Sequence, residues 1–398
     1  MNILIVSSYL PFPLFNGGNI RLYNLIKSLS SKHTITLICE RRPHQTAIDI
    51  EEVAKICEKV ITIPRKKQWS LQNILSSVFS ADSFLIRGHT LPKMTEKILE
   101  ELQNKSYDLI HVETFYVYQN LPKTSLPVVL VEHNIEYKVY EKFARRAQFF
   151  IKPFLSYDIR KIKRYEENVW KLVTIPVAVS THEQKIIGGN AALVPNGVDT
   201  TKFALKSQGQ EKKLKKVLFI GDYSWLQNRD AATFIISEIW PLVQKKYKEV
   251  TSNTTLQLWI VGRSIPQSVR SLSNDSSIFY DEHAPKETEK IFSEADILLA
   301  PIRVGGGTSY KILESLSVGT PVVTTSLGIE GISVEKDRDI LVSDTTDALA
   351  DHVVSLLTDS KKYDSLAKSG REKIVKTYDW TVIAGQLEQV YNKALQKS

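Results

Sequence analysis

The segment GGGTSYKILES, residues 305–315, stands between two apolar runs, ADILLAP before it and PVVTTS after it. Its glycines predict a tight turn after a buried strand, and the residues that follow predict a helix from about Thr308 to Val318. Backbone N–H groups in such a turn, at the positive end of a helix, favour a bound anion. Lys311 lies in the first turn of that helix, where a cation is disfavoured unless an anion offsets it. We interpret the segment as a strand–turn–helix unit with an anion site; the alternative is a plain turn with Lys311 in solvent.

The same alternation of strand and helix runs along the whole chain. Short apolar runs rich in β-branched residues are separated by helical patterns, which is typical of βαβ units with a parallel sheet. A second series of predicted strands begins at KVLFIGDY and continues with LQLWIVG, ADILLAP, PVVTTS and DILVS. The predicted fold class is α/β, with two doubly wound Rossmann-like domains facing a cleft in which ligands bind. The first series of predicted strands covers residues 2–7, 33–39, 59–64, 107–113, 127–134 and 173–180.

The division between these domains is predicted in a lysine-rich stretch, residues 206–216. We expect an N-terminal domain of residues 1–205 and a C-terminal domain of residues 206–376. Residues 377–398 contain an amphipathic helix near Trp380–Leu395, which we expect to pack back across both domains.

The composition is that of an ordinary globular protein. The 398 residues are 42% hydrophobic and 24% charged, with a formal net charge of +8. The two cysteines cannot form a disulfide framework and fit a reduced, cytoplasmic compartment. The first residues lack the basic start of a signal peptide, and no apolar run reaches ~18 residues. We therefore expect neither a leader nor a membrane-spanning helix.

Positive charge is concentrated in the predicted helices between residues 138 and 171. Two interpretations are open. The cations form a solvated helix face, or they make a reversible, salt-sensitive, peripheral contact with anionic lipid on the inner face of the cell membrane, without insertion. No zinc spacing, RNA-binding aromatic motif or basic-zipper pattern accompanies them, so nucleic acid is not an expected partner. The cations are Lys138, Lys142, Arg145, Arg146, Lys152, Arg160, Lys161, Lys163, Arg164 and Lys171.

Residues near the predicted turns carry groups suited to a nucleotide. Glu314 lies one helical turn after Lys311, so its carboxylate can accept hydrogen bonds from a ribose diol; alternatively the two form a surface ion pair. Arg303 adds a second positive charge just before the glycines. Gly17 and Gly18 form a similar turn after the first strand, so two turns, one in each domain, are predicted to bracket a diphosphate. The GGG turn is neither a P-loop nor a dinucleotide-binding G-x-G-x-x-G, because the required spacings are absent.

His133 follows a predicted strand, at the carboxyl end where ligands of parallel sheets lie. A lone histidine after a buried strand is otherwise more often a satisfied core group, but this position favours a catalytic role. His111 and Glu113, at the end of another strand, are predicted to support the site without touching the substrate. Arg21 is predicted in the first turn of the helix that follows the Gly17 turn, in the same relation as Lys311 to the GGG turn.

Four segments together resemble a known family: GGGTSYKILESLSVGTPVVTT, VPNGVDTTKF, GDYSWLQNRDAATF and VEHNIEY. They are similar to the retaining nucleotide-sugar glycosyltransferases of the GT-B fold, family 4 (group 1), in a branch with a GGGT loop. The resemblance covers nearly the whole chain, and the block Arg303–Thr325 is its most specific part. It implies transfer of a sugar from a nucleotide diphosphate sugar, held by the C-terminal domain, to an acceptor hydroxyl on a carbohydrate or lipid-linked acceptor, held by the N-terminal domain. Cell-surface polysaccharide or glycolipid synthesis is the implied setting.

The resemblance also implies roles for individual residues. Gly17 and Gly18 match the glycine loop beside the donor diphosphate and the acceptor, and His133 matches the histidine near the transferred sugar. The GGGT loop matches the segment that touches the sugar and the phosphate, and Glu314 matches the second of two paired glutamates, which holds the ribose. The predicted catalytic residues are His133, Lys311 and Arg303, and the predicted substrate-binding residues are Gly17, Gly18, Arg229, Gly305, Gly306, Gly307, Thr308 and Glu314.

Two departures from the family pattern leave alternatives open. Gly306 stands where the first paired glutamate belongs, and Asp222 and Gln227 stand near the places of an arginine and a lysine. The candidates for balancing the negative charge of the donor phosphates are then Lys311, Arg303 and Arg229. We expect no metal, because no acidic D-x-D cluster is evident near the predicted turns to hold one, and no cofactor beyond the donor substrate itself. The alternatives are a non-catalytic GT-B nucleotide-binding module and a nucleotide-sugar epimerase of the same fold.

Overall fold

The computed structural model describes residues 1–65, 77, 80–206, 213–251, 255–284, 287–305 and 307–397. Those residues form two compact units. The first unit comprises Met1–Pro195 and Ile383–Ser398, and the second comprises Asn196–Val382. Each unit has its own parallel sheet and its own apolar core.

The sheet of the first unit consists of β1 (Asn2–Ser7), β2 (Thr34–Arg41), β3 (Lys59–Pro64), β4 (Leu109–Glu113), β5 (Val128–Val131), β6 (Ile175–Ala178) and β7 (Ala192–Leu193). The strands lie in the order β3-β2-β1-β4-β5-β6-β7, and neighbouring strands are parallel. The order changes direction between β1 and β4, so their carboxyl ends form the switch point at which sheets of this kind bind ligands. Ser7 and Glu113, the last residues of these two strands, are paired there.

Helices connect the strands of the first unit. The first of them starts where the side chain of Asn16 accepts a hydrogen bond from the Asn19 amide at 3.0 Å, and its apolar stripe packs on the sheet. The helices are α1 (Gly17–Leu29), α2 (Ala47–Ala54), α3 (Phe84–Gly88), α4 (Pro92–Asn104), α5 (Glu136–Arg146), α6 (Lys152–Leu172) and α7 (Thr181–Ile187), with a 3-10 turn at Phe115–Asn120.

The sheet of the second unit consists of β8 (Leu214–Ile220), β9 (Thr255–Val261), β10 (Ile278–Asp281), β11 (Ile297–Ala300), β12 (Val322–Thr324) and β13 (Leu341–Val342). Its parallel order, β10-β9-β8-β11-β12-β13, repeats that of the first unit, with the switch point between β8 and β11. The helices are α8 (Leu226–Phe234), which continues through a π-turn (Ile235–Ile239) into α9 (Trp240–Val250), then α10 (Gln267–Arg270), α11 (Thr288–Glu294), α12 (Tyr310–Ser317), α13 (Thr346–Thr358) and α14 (Ser360–Tyr378). The last helix, α15 (Trp380–Leu395), begins in the second unit, and its residues from Ile383 onward belong to the first.

The predicted fold class is confirmed, because both units are α/β domains with parallel sheets in doubly wound order. The helical stretch between residues 137 and 171 is divided into α5 and α6 by a short connection. The strands β7 and β10 were not predicted, because one has two residues and the other, IFYD, is not a continuous apolar run. Within the described ranges, no helix combines the length and apolar content that crossing a membrane requires.

Candidate functional site

A buried carboxylate occupies the switch point of the first unit. Glu113 is fully buried at the end of β4, and its Oε2 is hydrogen-bonded to His111 Nε2 at 2.6 Å. Its Oε1 is hydrogen-bonded to His133 Nε2 and accepts from the Tyr9 hydroxyl at 3.3 Å. Burial alone would raise the pKa of Glu113, but the two histidines beside it hold that pKa well below its usual range. The carboxylate is therefore ionised at neutral pH and fixes both imidazole rings.

The beginning of α1 lies against His133. A Cβ atom on Gly18 would stand 3.1 Å from His133 Nδ1 and 3.3 Å from the Tyr9 hydroxyl, so glycine is what allows the ring to approach. The predicted loop at Gly17 and Gly18 is in fact the first turn of α1, because Asn16 caps the helix there. His133 remains partly exposed, with 16% of its side chain accessible. The structure thus brings together Gly18 and His133 with His111 and Glu113.

Arg21 does not have the position expected of a phosphate ligand. It is fully buried in the second turn of α1, and its guanidinium donates to the carbonyl oxygens of Val194 and Pro195 at 2.9 and 2.7 Å. Because α1 starts at Gly17, Arg21 lies in its second turn and not at its end. The hydrogen bonds to the two carbonyl oxygens indicate a structural role for Arg21.

Two further features surround Glu113. Thr114 has φ 64° and ψ 153°, a conformation that a β-branched residue rarely adopts, so the chain is strained immediately after the carboxylate. Tyr391 of α15 is hydrogen-bonded through its hydroxyl to His111 Nδ1 at 2.6 Å. A continuous row of hydrogen bonds therefore runs from Tyr391 through His111 and Glu113 to His133. Sequence reasoning missed Tyr391, which lies 280 residues from His111.

The glycine turn of the second unit follows β11 at the switch point. Gly305 and Gly307 have φ angles of 123° and 84°, which favour glycine. A Cβ atom on Gly305 would contact Gln227 Cβ at 3.7 Å, whereas one on Gly307 would meet no described atom within 4 Å. The hydroxyl of Thr308 is buried, and no described residue forms a hydrogen bond with it. Gly306 lies outside the described residues.

Lys311 is the second residue of α12 and is partly buried. Its Nζ donates to Asn228 Oδ1 at 2.9 Å and lies 4.6 Å from the centroid of the Phe219 ring. Burial lowers the pKa of Lys311 to about 8, although the nearby Glu314 works in the opposite direction. Asn228 in turn donates to the carbonyl oxygen of Asp222 at 2.8 Å. The lysine is therefore held against Asn228 and Phe219, and the alternative of a lysine extended into solvent is wrong.

Glu314 follows one turn later on α12. Burial raises the pKa of its carboxyl to about 7, and the positive charges of Lys202 and Lys311 only partly offset this effect. Among the described residues, none forms a hydrogen bond with this carboxylate or lies within ion-pair distance of it. Lys202 forms its ion pair with Glu289, at 3.6 Å. Glu314 is thus a partly buried acceptor without a described donor, and its charge state is balanced near neutral pH.

The two predicted arginines are engaged with protein groups. Arg303 pairs with Asp230 through Nε at 3.2 Å and Nη2 at 3.1 Å, and its guanidinium carbon lies 3.8 Å from the centroid of the Phe234 ring. Arg229 donates through Nη1 to the carbonyl oxygens of Tyr223 and Ser224 at 2.9 and 2.8 Å. The third predicted cation is Lys311, whose pKa is lowered by burial.

Sequence reasoning missed Asn228 and Phe219, which hold Lys311. Phe219 lies near the carboxyl end of β8, and Asn228 lies in the first turn of α8, the helix that follows it. Ligand-binding residues of doubly wound sheets are expected in this region, so both residues could have been identified from the sequence. Across the described ranges, no group of three or more histidine, cysteine, aspartate or glutamate side chains is arranged to hold a metal ion.

The fold resembles solved glycosyltransferase structures over the length of the chain. Sucrose-phosphate synthase from Thermosynechococcus elongatus has a TM-score of 0.69 at 17% identity, with 100% of both chains covered. Anabaena HepE, solved in complex with UDP and glucose, has a TM-score of 0.63 at 13% identity, covering 99% of this chain and 100% of its own. At such identities the likeness is one of fold, and the fold is that of the GT-B glycosyltransferases.

Two family models match the sequence and identify its family. Residues 15–202 match the model described as Glycosyltransferase Family 4, and residues 214–359 match the model described as Glycosyl transferases group 1. Together the two models account for most of the chain, and the protein is a glycosyltransferase of the group 1 type. The resemblance noted in the sequence is confirmed at this level.

Curated relatives have somewhat higher sequence identity to this chain than these solved structures, at 23% and 26%. An uncharacterized 44.6 kDa protein in the cps region of Klebsiella pneumoniae is 23% identical over 396 residues, which cover 95% of this chain and 96% of that protein. Phosphatidyl-myo-inositol mannosyltransferase of Mycobacterium leprae is 26% identical over 238 residues, which cover 58% of this chain and 61% of that enzyme.

Replacing Glu113 tests whether its ionised carboxylate supports the first unit. Because its pKa is depressed in the folded protein, its stabilisation is complete above the ordinary glutamate pKa of about 4.3 and is lost as the pH falls toward the lower folded value. We expect Glu113→Gln to reduce the free energy of unfolding by ~2 kcal/mol at pH 7, measured by chemical denaturation, and by a smaller amount at pH 3.5, where the unfolded glutamate is mostly protonated while the folded carboxylate is still ionised. Glu100→Gln, at a half-exposed i,i+3 pair, is the control and should change little. An equal loss at both pH values would contradict the assignment.

Proposed function

We propose that the protein transfers a sugar from a nucleoside diphosphate sugar to an acceptor hydroxyl with retention of configuration, in the synthesis of a cell-surface polysaccharide or glycolipid. The observation that carries this proposal is the turn before α12. There Gly307 leaves open space, the Thr308 hydroxyl is buried without a described partner, and the positive end of a helix points at both. A diphosphate would occupy the space at Gly307, accept a hydrogen bond from the Thr308 hydroxyl and place negative charge at the end of the helix.

Lys311 has the properties required to stabilise the leaving group. As the bond from the diphosphate to the sugar breaks, negative charge grows on the diphosphate, and a cation in a poorly solvated position stabilises that charge more than the ground state. The lowered pKa of Lys311 reflects the free-energy cost of holding a positive charge in that poorly solvated position. A bound diphosphate offsets this cost, which answers why a lysine lies in the first turn of α12.

Arg303 is the second source of positive charge in the proposal. Its side chain is 40% exposed, so its pair with Asp230 is a surface pair worth ~1 kcal/mol or less and can be exchanged for a phosphate at small cost. Arg229 is assigned a supporting role, because its two hydrogen bonds to carbonyl oxygens shape the segment just after β8.

Glu314 is assigned to the ribose of the donor. A desolvated carboxylate without a hydrogen-bond donor is unfavourable, and the two hydroxyls of a ribose diol supply two donors. The diol stabilises the ionised form, so it must lower the pKa of Glu314 from the value of about 7 that burial produces.

The first unit is proposed to bind the acceptor, and His133 to hydrogen-bond a sugar hydroxyl. Glu113 keeps the His133 ring in one orientation, and Gly18 leaves room for it. In the proposed reaction the acceptor oxygen attacks from the face that the diphosphate leaves, and a diphosphate oxygen accepts the hydroxyl proton. No metal or cofactor takes part in this scheme.

The relatives support the choice of substrates. One relative is named as a mannosyltransferase of phosphatidyl-myo-inositol, and another is named for its place in a cps region. The Anabaena structure contains UDP and glucose. A nucleotide sugar as donor, and a lipid-linked or polysaccharide acceptor, agree with these names.

The reaction is tested with nucleotide sugars of α configuration, UDP-glucose, GDP-mannose and dTDP-glucose, each incubated with excess enzyme and no acceptor. We expect at least one to be hydrolysed slowly, because water replaces the acceptor, and to release its sugar first as the α anomer, followed by proton NMR before mutarotation. Release of the β anomer first would contradict retention. Conversion of the nucleotide sugar to its epimer would contradict transfer and identify an epimerase.

Donor binding should be linked to protons in two opposite directions. Binding lowers the pKa of Glu314 from about 7 and so releases protons near neutral pH, and it raises the pKa of Lys311 from about 8 and so takes up protons near pH 8.5. Calorimetry in buffers of different ionisation enthalpy, with the nucleotide sugar that is hydrolysed, measures both changes.

Substitutions of Glu314 and Lys311 separate the proton release from the proton uptake. Glu314→Gln should abolish the release and weaken binding by ~1–3 kcal/mol, whereas Lys311→Met should abolish the uptake. Glu249→Gln, on the exposed face of α9, is the matched control and should retain both. Proton exchange that is unchanged in the Glu314 and Lys311 variants would remove those residues from the donor site.

A further inference from the structure

The helices α5 and α6 carry an exposed apolar surface. They pack on each other and are joined by residues 147–151, and we call this connection, with the adjoining ends of both helices, residues 142–157, the hairpin tip. Phe149 is 83% exposed, and Phe154 and Phe143 are 68% and 62% exposed. The exposed apolar side chains of the tip are Phe143, Phe149, Phe150, Ile151, Phe154 and Tyr157.

These side chains are not needed to fold the first unit. The inner face of the same hairpin already packs against the core through Tyr140, Ala144 and Leu155, and Ile159 is buried in that core. The outer aromatic rings instead contact one another: Phe149 and Phe150 meet edge to face, with centroids 5.6 Å apart. A cluster of exposed aromatic residues on one short segment is unusual for a monomer's surface and indicates a binding surface.

The charge around this surface is of one sign. The hairpin tip contains Lys142, Arg145, Arg146 and Lys152 and has no acidic residue. The nearest acids in sequence are engaged elsewhere: Glu141 pairs with Lys138 at 3.7 Å, and Asp158 accepts from the Phe84 amide at 2.9 Å. Aromatic rings surrounded by cations complement the acyl boundary and the anionic headgroups of a bilayer.

We infer that the hairpin tip docks on a bilayer that contains anionic phospholipid, with the rings of Phe149, Phe150 and Phe154 inserted at the headgroup boundary. This differs from the purely electrostatic contact predicted from the sequence. Of the cations of α6, Lys161 donates to the carbonyl oxygen of Ser77 at 2.6 Å, and Lys163 lies 3.8 Å from Glu167. The contact is therefore assigned to the tip. It is independent of the donor chemistry proposed above.

The test is co-sedimentation of the full chain with vesicles of phosphatidylcholine alone or with 30% phosphatidylglycerol, at low and high salt. We expect binding to the anionic vesicles, reduced but not abolished by salt, and at least ~10-fold weaker binding of Phe149→Ser/Phe150→Ser/Phe154→Ser at both salt concentrations. Lys142→Gln/Arg145→Gln/Lys152→Gln should lose the salt-dependent part. Phe279→Ser, at a ring of the second unit that is 49% exposed, is the matched control and should bind like the unmodified protein.

Insertion has a separate readout. Phe150→Trp should show a blue-shifted difference emission with anionic vesicles, and brominated acyl chains should quench it. Equal sedimentation of the unmodified protein and the triple phenylalanine variant would overturn the inference. So would a salt-abolished contact without quenching, which indicates adsorption only. A fall in the oligomeric mass of the triple variant in lipid-free light scattering would assign the surface to a second copy of the chain instead.

Discussion

A partly buried lysine at the positive end of a helix is the interaction on which the donor site depends. Lys311 gives up hydration in the first turn of α12, where the helix dipole also opposes its charge. One hydrogen bond to Asn228 and the face of the Phe219 ring hold it there. Neither contact removes the charge, which is why we propose that a bound anion completes the arrangement. The glycine turn and the buried Thr308 hydroxyl lie where that anion would be received.

The two units share one fold but carry chemically different groups at their switch points. In the first, the switch point is occupied by an ionised glutamate that orients two histidines, and the strained Thr114 follows it directly. In the second, a turn in which Gly305 and Gly307 have positive φ angles precedes the helix that carries Lys311. A fixed imidazole is suited to neutral hydroxyl groups, and a set of N–H groups with a cation is suited to phosphate oxygens. This difference supports the assignment of acceptor and donor.

The sequence was sufficient to predict most strands of both sheets and the glycine turn before α12, because period and composition determine buried parallel strands. It also identified Lys311 as unusual, since a rule about helix ends applies without coordinates. It did not reveal that Asn228 and Tyr391 complete the two sites, because their partners are far away in sequence. The start of α1 was placed too late, because the capping side chain of Asn16 was not recognised and the glycines after it were interpreted as a loop. Whether an arginine faces a ligand or an aspartate, as Arg303 faces Asp230, depends on side-chain packing that pattern does not encode.

We propose that the turn before α12 receives the donor diphosphate. A crystal structure of the protein with its bound nucleotide sugar tests this most directly. We predict a diphosphate oxygen within hydrogen-bond distance of the Thr308 hydroxyl, a second phosphate oxygen facing Lys311 Nζ, and the ribose hydroxyls on the Glu314 carboxylate. A nucleotide bound away from this turn, with the Thr308 hydroxyl still unpartnered and Lys311 still bonded only to Asn228, would contradict it.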